Sequence, residues 1–144
     1  MIDPGTNNTF TIEQVISFVQ EQTGADEIKP GTDIFGELGC TGNDFDALIK
    51  KYKARFHVDM STYLWYFHNN EEGQNIGSIF FKPPNERVER IPVTPEMLLT
   101  FANTGRWDIF YPEHQIPSAR LDYLINIILF FAAIFLILYV AVKH

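Results

Sequence analysis

Apolar residues recur three or four positions apart over residues 11–22, and this spacing predicts an amphipathic helix. Thr11 and Gln14 fit a capping box, in which each side chain accepts a hydrogen bond from the other residue's backbone N–H. Gly24 is well placed to end the helix, because glycine readily adopts the left-handed backbone that closes many helices. The predicted apolar face consists of Ile12, Val15, Ile16 and Val19.

A second amphipathic helix is predicted after a glycine-rich loop. Residues 33–42 contain three glycines at a spacing that the interior of a helix or strand does not favour. Asn43 or Asp44 is predicted to cap the helix that follows. The apolar face of this helix is Phe45, Leu48, Ile49, Tyr52 and Phe56, and its opposite face carries Lys50, Lys51, Lys53 and Arg55.

The middle of the chain gives weaker periodic signals. Residues 58–70 predict a short, mostly buried helix, although their many aromatic residues also favour strands. Residues 79–81 and 88–92 are candidates for brief extended segments, and Pro84 limits how far either one can pair.

Residues 94–104 predict another helix with clear end signals. Thr94 is a capping residue, Pro95 occupies the first helical position, and Gly105 closes the helix. Four helices joined with a long second connection make a small all-α bundle. We therefore predict an all-α domain over residues 1–107.

Residues 123–142 form an almost wholly apolar run, which predicts a single transmembrane helix after a linker at residues 108–122. About twenty residues at roughly 1.5 Å each span the ~30 Å hydrocarbon core of a bilayer. A buried core helix is disfavoured because so small a domain cannot cover such a helix on every side. Asn126 is expected to reach headgroups or water, or alternatively a partner helix.

The flanks of the apolar run predict its orientation. Residues 1–9 lack the basic and apolar regions of a secretory signal, so the domain is expected to stay in the cytoplasm. Arg106 and Arg120 on the domain side, against Lys143 beyond the run, agree with the positive-inside tendency. These features predict a tail-anchored, single-pass protein.

Composition narrows the classes of partner and compartment. The chain has 11 basic and 18 acidic residues, which speaks against nucleic acid as a partner. Its single cysteine, Cys40, cannot form an internal disulfide and fits a reducing compartment. Cys40 precedes a helix start, where a thiol pKa can be lowered, but we expect it to be a small packed residue.

The titratable residues suggest neither a metal site nor an enzyme. The acidic group around the second helix start is interpreted as caps and helix-dipole partners rather than as carboxylates converging on a cation. The histidines show no close metal spacing, and neither a nucleophile–base pair nor a phosphate loop is visible. The residues concerned are Asp33, Glu37, Asp44 and Asp46, and His57, His68, His114 and His144. We therefore expect no metal, no cofactor and no catalytic residue.

One stretch carries a resemblance to a known family. Residues 37–43, ELGCTGN, resemble the Asp-Leu-Gly-x-Asp-Ser-Leu junction that opens the second helix of acyl carrier proteins. Residues 56–59, 92–94 and 105–107 extend the pattern, and the chain is similar over residues 11–107 to the DUF1493 family of bacterial carrier-like proteins. The resemblance implies an acyl-carrier-like helical bundle.

The resemblance departs from carriers at the attachment position. Gly42 stands where a carrier has the serine that takes the phosphopantetheine arm, and Thr41 replaces the preceding aspartate. Glycine has no hydroxyl to modify, so the resemblance implies the fold and argues against the carrier activity. Thr41 and Ser61 are poor substitutes, since Thr41 is shifted by one residue and Ser61 lies on another segment.

The second helix also differs from carriers in the sign of its charge. Carriers commonly present an acidic second helix to basic patches on enzymes, whereas this helix has a basic face. The alternative to a binding role is that this face is simply exposed to solvent. The predicted partner-binding residues are Lys50, Lys51, Lys53, Arg55, Asp44 and Asp46. A reversed partner surface favours an acidic protein or anionic lipid headgroups.

Our first functional hypothesis is a non-catalytic, carrier-like interaction module at the bacterial inner membrane. It would act on a membrane protein or a lipid-pathway enzyme. One alternative is a small membrane-anchored immunity-type protein that neutralises a toxin. Another is a functional carrier that uses an atypical attachment site.

Overall fold

The computed structural model describes residues 9–144, which contain four α-helices, three short 3-10 helices and no β-strand. The α-helices are α1 (Ile12–Thr23), α2 (Gly42–Phe56), α3 (Pro95–Thr104) and α4 (Leu121–Lys143). The 3-10 helices are Trp65–Phe67, Ile76–Ile79 and Pro84–Glu86. The predicted all-helical class is confirmed for this part of the chain. The signal-sequence prediction for residues 1–9 falls almost wholly outside the described residues.

The end signals of α1 and α3 act as predicted. The Thr11 hydroxyl accepts from the backbone N–H of Gln14, and the Gln14 side chain accepts from the backbone N–H of Thr11 at 2.9 Å. Gly24 ends α1 with φ 70°. Thr94 caps α3 through its side chain, and Gly105 ends that helix with φ 77°. Both helices therefore take their bounds from local sequence.

The core lies between α1, α2 and α3. Tyr52 of α2 is fully buried and donates its hydroxyl proton to the carbonyl oxygen of Leu98 in α3 at 2.6 Å. Phe56 packs edge-on against Phe18 of α1, with ring centroids 5.4 Å apart. All five predicted apolar residues of α2 are buried, together with Val15, Phe18, Val19, Leu98, Phe101 and Ala102. The predicted apolar face of α2 is confirmed, whereas on α1 the predicted Ile12 and Ile16 are only partly buried and the unpredicted Phe18 is buried.

The helix predicted over residues 58–70 is wrong, because only Trp65–Phe67 is helical and that turn is 3-10. Asp59 uses its backbone to pair with another segment: its N–H donates to Gly105 O, and its carbonyl accepts from Trp107 N–H, both at 2.8 Å. A backbone N–H and carbonyl that are bonded to another segment cannot also make α-helical hydrogen bonds. The aromatic residues of this stretch have only modest helix propensity, so they do not favour the helix strongly enough to prevent this pairing. The third of the four predicted helices is thus an aromatic segment whose backbone pairs with the residues after α3.

Aromatic packing joins this segment to the residues that follow α3. His68 is fully buried, stacks on Tyr63 at 5.5 Å and lies edge-on to Trp107 at 5.4 Å. Tyr111 and His114, within the stretch predicted as a linker, each lie 4.8 Å from the ring of Phe67. Residues after Trp107 therefore continue to pack on the domain.

The two predicted extended segments form no strand. Residues 79–81 lie at the end of the Ile76–Ile79 turn, where the N–H groups of Phe80 and Phe81 both donate to Gly77 O, so that prediction is wrong. Residues 88–92 lie outside every helix and make a cross-segment hydrogen bond from Ile91 N–H to Phe67 O at 2.7 Å. A single such bond anchors a loop but builds no ladder.

Helix α4 is the one helix in residues 9–144 that is long and apolar enough to cross a membrane. It has 23 residues, and none of its most apolar window is buried against the rest of the described chain. A helix that is apolar on all sides and uncovered fits a bilayer better than a protein core, consistent with a single-pass anchor.

The first turns of α4 are attached to the domain through a polar cluster that we call the junction. Its members are Glu71, Asn75, Gly77, Arg120, Asp122 and Asn126. Arg120 binds Glu71 at 2.6 and 2.9 Å and Asp122 at 2.6 and 3.0 Å. Asn126 accepts from Gly77 N–H at 2.7 Å and donates to Asn75 at 2.8 Å. Asn126 thus binds the chain's own loop, a partner that the sequence did not indicate.

Candidate functional site

The start of α2 is the position at which the carrier resemblance placed its attachment serine. The helix begins at Gly42 with Thr41 as the capping residue, so the predicted caps Asn43 and Asp44 are wrong. Thr41 makes no side-chain capping bond either. The free N–H groups of α2 must therefore be satisfied from elsewhere in the chain.

Residues 69–72 supply those partners. The side-chain oxygens of Asn69 and Asn70 accept from Gly42 N–H at 2.8 and 3.0 Å, and Glu72 accepts from Asn43 N–H at 3.0 Å. Asn69 is buried and also donates to the Gly42 carbonyl at 2.8 Å and to Asp46 at 3.0 Å. Its side chain is fully hydrogen-bonded, which ties the 69–72 segment to the helix end.

Gly42 itself is buried and has φ +57°, a conformation that favours glycine. A Cβ at this position would lie closer than 3.0 Å to three side-chain atoms of Glu72. The position that the carrier resemblance assigns to an attachment serine is therefore a buried glycine covered by the Glu72 side chain. Both the backbone conformation and the neighbour disfavour any side chain at residue 42.

We expect Gly42→Ser to lower the free energy of unfolding by about 2 kcal/mol. A left-handed backbone destabilises a non-glycine residue by roughly 1–2 kcal/mol. Displacing Glu72 also weakens its hydrogen bonds to Asn43, and the loss of one such bond costs about 1 kcal/mol. Urea unfolding of the full chain in detergent micelles, followed by tryptophan fluorescence, measures the change. Gly31→Ser is the matched control because a Cβ at Gly31 meets nothing within 4 Å. Equal stability of the two variants would contradict this account of residue 42.

The predicted basic face of α2 is exposed, but its members differ in their surroundings. Arg55 is paired with Glu21 at 2.9 Å. Lys50, Lys51 and Lys53 have no carboxylate within salt-bridge distance among residues 9–144. Lys50 and Lys53 border a shallow depression of about 420 Å³ that ends at His57, Val58, Asp59 and Gly105. Three lysines rather than four cations thus form the available positive surface.

The predicted acidic group does not converge on one point. Asp33 pairs with Arg90 at 2.7 Å, and Glu37 accepts from Asp33 N–H at 2.6 Å. Burial alone would raise the pKa of Asp33, but Arg90 and nearby backbone N–H groups outweigh it and hold that pKa below its ordinary value. Asp44 lies in the first turn of α2, and Asp46 binds Asn69. Only Asp44, in the first turn of α2, occupies the predicted helix-dipole position, whereas the ion pair of Asp33 with Arg90 was not predicted.

Cys40 is buried in the core, which confirms the predicted packed role. Burial, followed by the nearby charge of Asp44, raises the pKa of its thiol to about 11. The helix start does not activate this cysteine, because the thiolate that would react is disfavoured.

Sequence reasoning missed the residues that close the α2 start. Asn69, Asn70 and Glu72 lie in a polar stretch whose pattern indicates only a loop. No signal in the sequence indicates them, because Thr41, Asn43 and Asp44 are all residue types that cap helices. Only the structure shows that Thr41 makes no side-chain capping bond and that the N–H groups bind outside acceptors.

Comparison with known proteins gives one family match. The model of the family described as DUF1493, protein of unknown function, matches residues 9–111. No curated protein and no solved structure matches the chain. The matched residues include α1, α2, α3 and the aromatic segment, and they end before α4.

Proposed function

The chain belongs to the DUF1493 family, and we propose that it is a membrane-anchored, non-catalytic interaction module with a carrier-like second helix. In this proposal α4 holds the domain at the bacterial inner membrane, and the lysine face of α2 binds an acidic region of a membrane protein or membrane-associated enzyme. Anchoring raises the effective concentration of the two surfaces, so a weak contact suffices.

The observation that carries the proposal is the closed start of α2. A carrier needs an accessible hydroxyl at this helix end, whereas Gly42 is buried and lies beneath Glu72. The same closure holds the helix end rigidly through Asn69 and Asn70. A rigid helix with a blocked attachment position supports recognition by its surface rather than transport of a covalent group.

The charge of the surface supports an acidic partner. Lys50, Lys51 and Lys53 lie within one turn of α2 and keep their charges uncompensated by any described carboxylate at salt-bridge distance. Such a patch attracts complementary negative charge and chiefly affects the association rate and the choice of partner. Residues Asp44 and Asp46 at the other end of the helix limit where an acidic partner can approach.

Photo-crosslinking in native membranes tests the proposal. A photoreactive amino acid replaces Ala54, which is exposed beside the lysines. We expect a protein adduct whose yield falls at least five-fold in Lys51→Glu, because the mutation reverses a charge at the contact. Lys29→Glu changes net charge equally at an exposed position outside α2 and should leave the yield within two-fold. Equal yields in both variants, or no protein adduct, would reject the lysine face as a binding surface.

The identity of the adduct distinguishes the functional alternatives. An endogenous membrane protein or enzyme supports the proposal, whereas a toxin would favour an immunity-type role. Incubation of the full chain with a phosphopantetheinyl transferase and the coenzyme A donor is expected to give no mass increase. A stoichiometric increase would favour a carrier with an atypical attachment site.

We place the globular part in the cytoplasm, with Arg106 and Arg120 on the domain side of α4 and Lys143 beyond it. Protease treatment of vesicles checks this orientation. The domain should be digested in inverted inner-membrane vesicles and protected in right-side-out vesicles, and the opposite pattern would overturn the assignment.

A further inference from the structure

A short apolar loop, Ile76–Phe81, exposes four large hydrophobic side chains. The exposed fractions are 53% for Ile76, 79% for Ile79, 66% for Phe80 and 39% for Phe81. Scattered exposed hydrophobic residues are ordinary, but four within six residues form a patch that requires an explanation. The domain core does not provide one, because the loop lies outside the core cluster.

The position of the apolar loop supplies the explanation. Gly77 donates to the Asn126 side chain at 2.7 Å, and a Cβ on Gly77 would collide with the backbone of Asp122. Asn75, directly before the loop, binds both Asp122 and Asn126 at 2.8 Å. The loop is therefore fixed against the first turns of α4.

These turns mark the edge of the predicted membrane span. Residues 123–142 reach the ~30 Å of the hydrocarbon core at about 1.5 Å per residue, so Asp122 lies just outside the core and Asn126 just inside it. Gly77 of the loop binds Asn126 and the preceding Asn75 binds Asp122, so the loop is held at the membrane interface. Its apolar side chains are then at the depth where hydrophobic and aromatic residues are most favourable.

The residues after the loop provide cations at the same level. Lys82 directly follows Phe81, and Arg87 donates to the Lys82 carbonyl at 2.7 Å. Both line a cavity of about 240 Å³ whose opposite wall is formed by residues 116–122. Long basic side chains above an apolar surface can extend to lipid phosphates while their stems stay on hydrocarbon. Arg120 in this wall is paired with Glu71 and Asp122. Lys82 and Arg87 also line the cavity, and neither forms an ion pair with any carboxylate of residues 9–144.

We propose that the apolar loop is a second membrane contact, inserted into the interfacial region of the bilayer beside α4. Ile79 and Phe80 contact acyl chains, and Lys82 and Arg87 face phosphates. With loop and helix both in the membrane and hydrogen-bonded to each other, the domain has a fixed orientation rather than a free tether. The proposal depends on α4 spanning the bilayer and is independent of the partner proposed for the lysine face.

Spin-label accessibility in the full chain tests the contact. In a Cys40→Ala background, single cysteines replace Phe80, Ala54 and Phe135, and the labelled chains are reconstituted in phosphatidylcholine–phosphatidylglycerol liposomes. Ala54 lies 12 residues beyond Gly42 on α2, roughly 18 Å along the helix from the end that borders Tyr123. Ala54 is therefore the aqueous control, and Phe135 within α4 is the membrane control.

The ratio of oxygen to nickel-chelate collision rates reports depth. We expect the Phe80 ratio to exceed the Ala54 ratio at least five-fold and to stay below that of Phe135. Equal ratios at Phe80 and Ala54, with a high ratio at Phe135, would overturn the loop contact and leave the anchor intact. Low accessibility of Phe80 to both reagents would overturn it in favour of burial against protein, either the same chain or a second copy of it. A water-exposed Phe135 would overturn both the loop contact and the membrane span.

Discussion

Replacing Gly77 by alanine is expected to detach the domain from α4 while leaving both parts folded. The new Cβ would lie closer than 3.0 Å to three backbone atoms of Asp122. Backbone cannot rotate away as a side chain does, so the loop and the helix must separate by roughly 1–2 Å to reach normal contact distance. Separation breaks the bond from Gly77 to Asn126 and weakens those from Asn75 to Asp122 and Asn126. Three such bonds contribute at most about 3 kcal/mol. The junction then depends mainly on the partly exposed Arg120–Glu71 ion pair, and such a pair contributes only about 0–1 kcal/mol.

The distance between two spin labels measures this detachment. Labels at Ala54 of α2 and Leu136 of α4, in the Cys40→Ala background in liposomes, should give one narrow distance distribution in the parent chain. Gly77→Ala should broaden it to several times the parent width. Gly31→Ala is the matched control, because a Cβ at Gly31 meets nothing within 4 Å. A narrow, unshifted distribution in Gly77→Ala would show that the junction tolerates the extra methyl group.

The elements that could be predicted are those whose ends are specified locally. α1 and α3 each have a threonine cap and a closing glycine, and both have nearly the predicted bounds. α4 was predicted from apolar length alone. The segment 58–70 could not be predicted because its backbone partners, Gly105 and Trp107, lie more than 40 residues away. Periodicity describes which face of a helix is apolar, but it does not reveal hydrogen bonds between distant segments.

The candidate site likewise combines features that local sequence predicts with features that depend on distant residues. The lysine face follows from the spacing of α2, since residues opposite a buried stripe are exposed. The closure of Gly42 does not, because it depends on Asn69, Asn70 and Glu72, which lie 27 to 30 positions away from Gly42 in sequence. The carrier resemblance predicts only that residue 42 lacks a serine hydroxyl, and the structure shows separately that Gly42 is buried and that a Cβ there would meet Glu72.

The buried His68 gives a second large effect, a loss of stability on acidification. Its Nδ1 lies 2.9 Å from the Ile91 carbonyl, which can only accept, so Nδ1 carries the proton. Its Nε2 lies 2.8 Å from the Tyr111 hydroxyl, whose oxygen accepts from Trp107 Nε1 at 2.9 Å. Tyr111 therefore donates to Nε2, and a second ring proton would face another proton. The network is built for neutral histidine.

The direction and size of the pH effect follow from this network. The pKa of His68 is lowered from 6.5 to about 4. Burial is the main cause and the charge of Arg90 adds to it, while the hydrogen bond to the Ile91 carbonyl acts in the opposite direction. Between these values the unfolded chain binds a proton that the folded chain does not, so stability falls as pH falls from about 6.5 to 4. At 1.36 kcal/mol per pH unit, His68 contributes a loss of about 3 kcal/mol over this window. The Asp33 contribution lies below this window, because its ordinary pKa of 3.8 is lowered in the fold.

Urea unfolding of the full chain in micelles at pH 7, 6, 5 and 4 measures the slope. His68→Gln should be less stable at pH 7, because glutamine cannot reproduce both ring contacts. Its free energy of unfolding should nevertheless change by less than about 1 kcal/mol between pH 7 and pH 5. His57→Gln is the matched control: His57 is exposed at the end of α2, so the full slope of the parent chain should remain. A parent-like slope in His68→Gln would show that another group causes the acid sensitivity. If the slope is lost in His68→Gln but kept in His57→Gln, the acid sensitivity belongs to the imidazole between Ile91 and Tyr111.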